Sequence, residues 1–64
     1  METTAQFVAR ARKKLGWSQA RLAKALKYTR ESVGRWERGE HDMPREPWAK
    51  LEAILQRHEA KHGA

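Results

Sequence analysis

The chain has 64 residues and a formal net charge of +6, and this length is enough for one small domain. It has no cysteine, which excludes disulfides and metal sites with cysteine ligands. No segment approaches the roughly 18 apolar residues of a membrane span, and no apolar run follows a basic start as in a secretory signal, so we expect a cytoplasmic protein. A basic chain of this size favours a polyanionic partner, and it has little room for an enzyme's active site.

The apolar residues recur with helical spacing and few residues are β-branched, so the chain is predicted to be all-α. Thr3 and Gln6 have the spacing of a capping box at the start of the first helix, and Gly16 is a natural stop after it. Ser18 and Thr29 are good N-caps for the second and third helices. The predicted helices span Thr4–Leu15, Gln19–Leu26, Arg30–Arg38 and Pro47–Lys61.

The third predicted helix has two different faces, at about 100° of rotation per residue. The inner face holds residues expected to anchor it to the core, namely Val33 and Trp36 with Glu37 beside them. The outer face holds polar residues that suit a DNA groove, namely Arg30, Glu31, Ser32, Arg35 and Arg38. Arginine can donate to O6 and N7 of guanine, and glutamate can accept from N4 of cytosine.

Two residues on or near this outer face allow two interpretations each. Glu31 and Arg35 are spaced i, i+4, so Glu31 either contacts a base itself or orients Arg35. Gly34 lies close to the outer face and weakens the helix intrinsically. It is either a point of close approach to the groove or a tolerated surface glycine.

Positive charge is concentrated in the segment that contains these helices. Residues 10–38 carry ten Lys or Arg and two Glu, which gives them eight net positive charges, while the segments on both sides are slightly acidic. A clustered basic stretch is typical of a nucleic-acid-binding surface. We therefore expect nucleic acid as the partner.

Two short helices joined by three residues, the second of them amphipathic and basic, are typical of a helix-turn-helix, which binds duplex DNA. The segment LGWSQARLAKALKYTRESVGRWERGE resembles the Cro/CI-type helix-turn-helix of lambdoid phage repressors and their bacterial relatives. The residues that carry the resemblance are Leu15-Gly16-Trp17-Ser18-Gln19, Leu22-Ala23, Thr29, Val33 and Trp36-Glu37-Arg38-Gly39. The resemblance covers about residues 5–55. It implies a compact lambda-repressor-like domain over residues 1–64 with its helix-turn-helix core at 18–38 and four helices, or five as the alternative.

The resemblance also implies roles for individual residues. Gln19 would hold a DNA phosphate and brace the first base contact of the third helix. The base-reading positions would be Arg30, Glu31, Ser32 and Arg35. The phosphate contacts would come from Ser18, Gln19, Lys27, Thr29, Arg38 and Arg45. Arg12 would form a structural ion pair with Glu37.

The chain departs from the family pattern in two places. Lys27 stands in the turn where the family usually has glycine, so either the turn differs or Lys27 adopts a positive φ and reaches a phosphate. The family commonly adds a fifth helix after the fourth, whereas this chain ends soon after Lys61. The usual dimer surface is therefore in doubt.

These observations predict a sequence-specific regulator of transcription, most simply a repressor that binds an inverted-repeat operator as a homodimer. One alternative is an antitoxin that binds a toxin protein and autoregulates its own promoter. Others are an RNA-binding or purely protein-binding module, and the DNA-binding part of a longer regulator. We expect no enzymatic activity, metal, cofactor, small-molecule effector or membrane partner.

Overall fold

The computed structural model describes residues 1–62 of the chain, which form four α-helices and no strand. Helix α1 spans Thr4–Leu15, α2 spans Gln19–Leu26, α3 spans Arg30–Glu37 and α4 spans Arg45–His62. The predicted all-α fold with four helices is confirmed. No helix in this part of the chain has the length and apolar character needed to cross a membrane.

The helix ends follow the capping signals in the sequence. The Thr3 hydroxyl accepts from the backbone N–H of Gln6 at 3.1 Å, and the Gln6 side chain accepts from the N–H of Thr3 at 3.0 Å. Gly16 ends α1 in the left-handed conformation with φ of 69°. Its N–H and that of Trp17 both donate to the carbonyl of Arg12. These short-range bonds satisfy backbone groups that a helix end leaves open.

Two predicted helix boundaries are shifted. Helix α4 begins at Arg45, two residues before the predicted start at Pro47. Because the first N–H groups of a helix have no partner inside it, Pro47 is tolerated as its third residue. Helix α3 ends at Glu37, and Arg38 is its C-cap.

The core lies where the four helices converge. Its apolar residues are Phe7, Val8, Ala11, Leu22, Ala23, Leu26, Val33, Trp36, Met43, Leu51 and Leu55. The rings of Phe7 and Trp48 stack with their centroids 4.2 Å apart, which joins α1 to α4. The inward-facing Val33 and Trp36 are buried, as the two-faced pattern of α3 predicts.

The loop between α3 and α4 is tied to the start of α1. The backbone N–H of Met43 donates to the hydroxyl of Thr4 at 3.0 Å, and both residues are buried. This bond gives the buried backbone N–H of Met43 a hydrogen-bond acceptor, without which its burial would destabilise the fold. It also fixes the position at which α4 leaves the loop.

Candidate nucleic-acid interface

The turn between α2 and α3 consists of Lys27, Tyr28 and Thr29. Lys27 adopts the left-handed conformation with φ of 61°. Its N–H donates to the carbonyl of Lys24 at 3.2 Å, and that of Tyr28 donates to the carbonyl of Ala23 at 2.8 Å. This is the hydrogen-bond pattern of a Schellman motif, in which glycine is usual. The positive φ expected for Lys27 under one of the two alternatives is confirmed.

Thr29 begins α3 as its N-cap. Its hydroxyl accepts from the N–H of Ser32 at 3.1 Å and lies 3.0 Å from the Ser32 hydroxyl. The side chains of Thr29 and Ser32 are therefore coupled. Thr29 is exposed and Ser32 is partly buried, so the two hydroxyls lie at the edge of the outer face of α3.

The centre of that face is formed by exposed charged residues. Arg30, Glu31 and Arg35 all lie in solvent. Nη2 of Arg35 donates to Oε1 of Glu31 at 2.6 Å. Arg35 has further N–H groups, since a guanidinium carries five donors. Arg30 has no ion pair with any residue that the structure describes.

Gly34 is buried, so the interpretation as a tolerated surface glycine is wrong. A Cβ at this position would lie 3.1 Å from Nη1 of Arg38 and 3.9 Å from Nε2 of Gln19. These two side chains therefore lie over the helix backbone. The glycine leaves room for the Arg38 guanidinium to fold back along α3.

Arg38 also forms an ion pair with Glu40. Its Nε donates to Oε2 of Glu40 at 2.6 Å. This hydrogen bond lowers the pKa of Glu40 below its ordinary value and raises the pKa of Arg38. The two residues are only two apart at the end of a helix, where no regular periodicity links them, so no sequence pattern indicated the pair.

Gln19 lies beside Gly34 and Arg38, and its side chain is held by a residue of α3. Its Nε2 donates to Oε1 of Glu37 at 2.7 Å. Nη1 of Arg12 donates to both oxygens of the same carboxylate, at 2.8 and 3.0 Å, and Nε of Arg12 donates to the carbonyl of Trp17. The structure thus brings Arg12 and Glu37 together and adds Gln19 to them.

Two shallow depressions flank the outer face of α3. One of about 270 Å³ is lined by Gln19, Arg30, Glu31, Gly34 and Arg38. The other, of about 240 Å³, is lined by Tyr28, Ser32, Arg35, Trp36, His41, Asp42 and Pro44. The expected base-reading residues are therefore divided between adjacent depressions. His41 and Asp42 belong to a polar loop without a motif, so no sequence pattern indicated that they line this surface.

The remaining expected phosphate contacts lie around this surface. Ser18 caps α2, where its hydroxyl accepts from the N–H of Arg21 at 3.1 Å. Lys27 is exposed in the turn, and Arg45 is exposed at the start of α4. Arg45 lines neither depression but directly follows Pro44, which lines the second one.

The comparisons with known proteins give one match. A family model described as helix-turn-helix matches residues 8–61 of the chain. No match was found among curated proteins or among solved structures.

Proposed function

Because this chain belongs to the Cro/CI-type helix-turn-helix family of DNA-binding transcription regulators, we propose that it is a repressor that binds an inverted-repeat operator as a homodimer. In this proposal α3 lies in the major groove and reads base edges. Contacts to phosphates on both sides set its register, since phosphate contacts position a protein and base contacts specify a sequence.

Support for base reading comes from the exposed face of α3. Arg30 and Arg35 present guanidinium groups to solvent on a helix whose other face is buried. Either group suits the O6 and N7 atoms of guanine. Because Glu31 holds Arg35 at 2.6 Å, we assign Glu31 to orienting Arg35. Ser32 would complete the base-reading set from the edge of this face.

Support for phosphate binding comes from the groups around that face. Gln19 and Thr29 lie near the starts of α2 and α3, where the positive ends of the helix dipoles favour an anion. Lys27 adds a charge in the turn between the two helices. We assign the remaining backbone contacts to Ser18, Arg38 and Arg45. Arg38 would then exchange its bond with Glu40 for one with a phosphate.

The homodimer follows from the small size of one reading surface. A single recognition helix contacts only a few base pairs, which is too little to select a site in a genome. Two copies related by a two-fold axis would read two half-sites about 34–36 Å apart, one turn of the double helix. A dimer bound across a promoter would block transcription, and this is the basis for proposing repression.

Selection from random duplex DNA tests this function directly. We expect enrichment of sites that come as symmetric pairs of short half-sites. Enrichment of unpaired half-sites would contradict the homodimer, and no enrichment at all would contradict sequence-specific reading. Binding to the selected site should weaken steeply with salt because bound phosphates release counterions. Single-stranded RNA should compete poorly with the selected duplex.

A further inference from the structure

A second surface lies between the α1–α2 turn and the C-terminal half of α4. It is an open groove of about 490 Å³, and none of its lining residues belongs to α3 or to the two depressions beside it. The groove is therefore separate from the surface that we assign to DNA bases. A ligand in it would leave the outer face of α3 accessible.

The floor of this groove is apolar. Leu15, Trp17 and Ile54 line it, and each is a partly buried hydrophobic residue packed against the core. Their inner sides complete the core, while their outer sides face the groove. A contiguous apolar strip with a polar rim is typical of a site that binds another protein.

The rim of the groove is basic. Arg21 lies over the Trp17 ring, with its guanidinium carbon 4.9 Å from the ring centroid, and Arg57 and Lys61 project from α4. None of the described residues that line the groove is acidic. The three cations form no ion pair with any residue in 1–62.

Some of the other basic side chains around the bundle, in contrast, have an acidic partner. Arg10, Lys14 and Arg38 are each paired with a glutamate, at 2.8, 3.1 and 2.6 Å respectively. The glutamates of the fold thus neutralise cations elsewhere and leave those of the groove uncompensated. An acidic ligand with an apolar face could pair with these cations and pack against the apolar floor.

We propose that this groove binds an acidic amphipathic helix of a partner protein. Such a helix would place apolar side chains at i, i+3 or i+4 and i+7 on the strip formed by Leu15, Trp17 and Ile54. Its flanking Asp or Glu residues would pair with Arg21, Arg57 and Lys61. This binding goes beyond the proposed repression and does not depend on which operator the protein reads.

Charge disfavours a second copy of this chain as the occupant. A two-fold interface uses the same patch of each copy, so it would bring two basic rims close together. Like charges at such a contact are strongly unfavourable. The phosphates of DNA complement the positive charge of the rim. They would not bury the apolar floor, which would stay exposed to water. An acidic amphipathic helix satisfies both features.

Selection from a display library of helical peptides on the whole chain tests this binding. The enriched peptides should carry an apolar stripe flanked by Asp or Glu, and their titration should shift the indole N–H signal of Trp17. Arg57→Glu should lower peptide affinity about tenfold, because it places like charges opposite each other. Lys61→Glu should do the same. Lys24→Glu makes the same change of charge at an exposed site outside the groove and should retain peptide binding.

Four results would overturn the proposal. The first is that no peptide is enriched, and the second is that the enriched peptides lose equal affinity in Lys24→Glu and Arg57→Glu. The third is that Arg57→Glu weakens binding to the selected DNA more than Lys24→Glu does, which would make the groove a phosphate site. The fourth is that Arg57→Glu changes self-association in sedimentation, which would place a second copy in the groove.

Discussion

Gln19 and Glu37 are joined by a hydrogen bond of 2.7 Å between Nε2 and Oε1. The same carboxylate accepts from Arg12, so one side chain of α3 holds residues of α1 and α2 at once. Gln19 is the residue at the start of α2 that we assign to a DNA phosphate. Its orientation is therefore set from inside the fold before DNA binds, and this reduces the side-chain entropy lost on binding.

Replacing Glu37 by glutamine should destabilise the fold. Glu37→Gln keeps the shape but removes the charge that pairs with Arg12, and both side chains are largely shielded, with 18% and 30% of their surfaces exposed. We expect the free energy of unfolding to fall by about 1–3 kcal/mol, less than for a fully buried pair. Urea denaturation with an unchanged m-value would measure this.

The matched control is Glu40→Gln, which breaks the exposed pair with Arg38. Its effect on the free energy of unfolding should be much smaller than that of Glu37→Gln, because this ion pair is exposed to solvent. Equal losses in the two variants would mean that the Glu37 carboxylate has no special structural role.

Arg35→Ala should relax base preference at one position of each half-site. The lost discrimination should be about 1–3 kcal/mol, because a bidentate contact with guanine is removed. Binding to operators that differ at single base pairs would measure it. A uniform loss of affinity for all sequences would instead make Arg35 a phosphate contact.

Glu31→Gln tests how Glu31 acts. If it orients Arg35 through their 2.6 Å bond, its substitution should weaken preference at the same base pair as Arg35→Ala, and the effects of the two changes should not add. Relaxed preference at a different base pair would show that Glu31 reads a base itself.

Lys27→Gly should change two properties at once, namely stability through the positive φ of this residue and DNA binding through its charge. Glycine adopts a φ of 61° without the cost that a Cβ incurs, so stability should rise by about 0.5–1 kcal/mol. The same change removes a proposed phosphate contact, so the slope of log affinity against log salt should fall by about 1.

The matched control at this position is Lys27→Gln, which removes the charge and keeps the Cβ. It should show the altered salt slope without the gain in stability. An unchanged slope in both variants would remove Lys27 from the DNA contacts.

The carboxyl group of Glu40 should titrate below its ordinary pKa of 4.5, because the hydrogen bond from Arg38 stabilises the charged form. A group with a lowered pKa in the folded state stabilises the fold above its unfolded pKa. That contribution is lost as the pH falls through the folded pKa. Carboxyl signals in an NMR titration would report the shift, and Arg38→Gln should raise the Glu40 pKa toward its ordinary value.

Arg10→Gln provides the control for this titration. It should raise the pKa of Glu2, whose own lowering comes first from its hydrogen bond with Arg10, and leave Glu40 unchanged. A shift of Glu40 in this variant would point to the overall charge of the protein as the cause.

The sequence alone was sufficient for the number of helices, for the first residues of α1, α2 and α3, and for the inner face of α3. Thr3, Ser18 and Thr29 cap helices through bonds to residues three positions ahead, and such bonds depend only on local geometry. The rotation of about 100° per residue separates the inner face of α3 from its outer face without knowledge of any other helix.

The tertiary structure alone decided several further contacts between side chains. Arg38 and Gln19 lie over Gly34, Gln19 donates to Glu37, and Trp17 and Ile54 line the same basic groove. The physical reason is that these contacts depend on how the helices pack and on the rotamers of long side chains. Helix packing and rotamers leave no regular pattern in the sequence, whereas a cap has a fixed spacing and a helix face has the helical repeat.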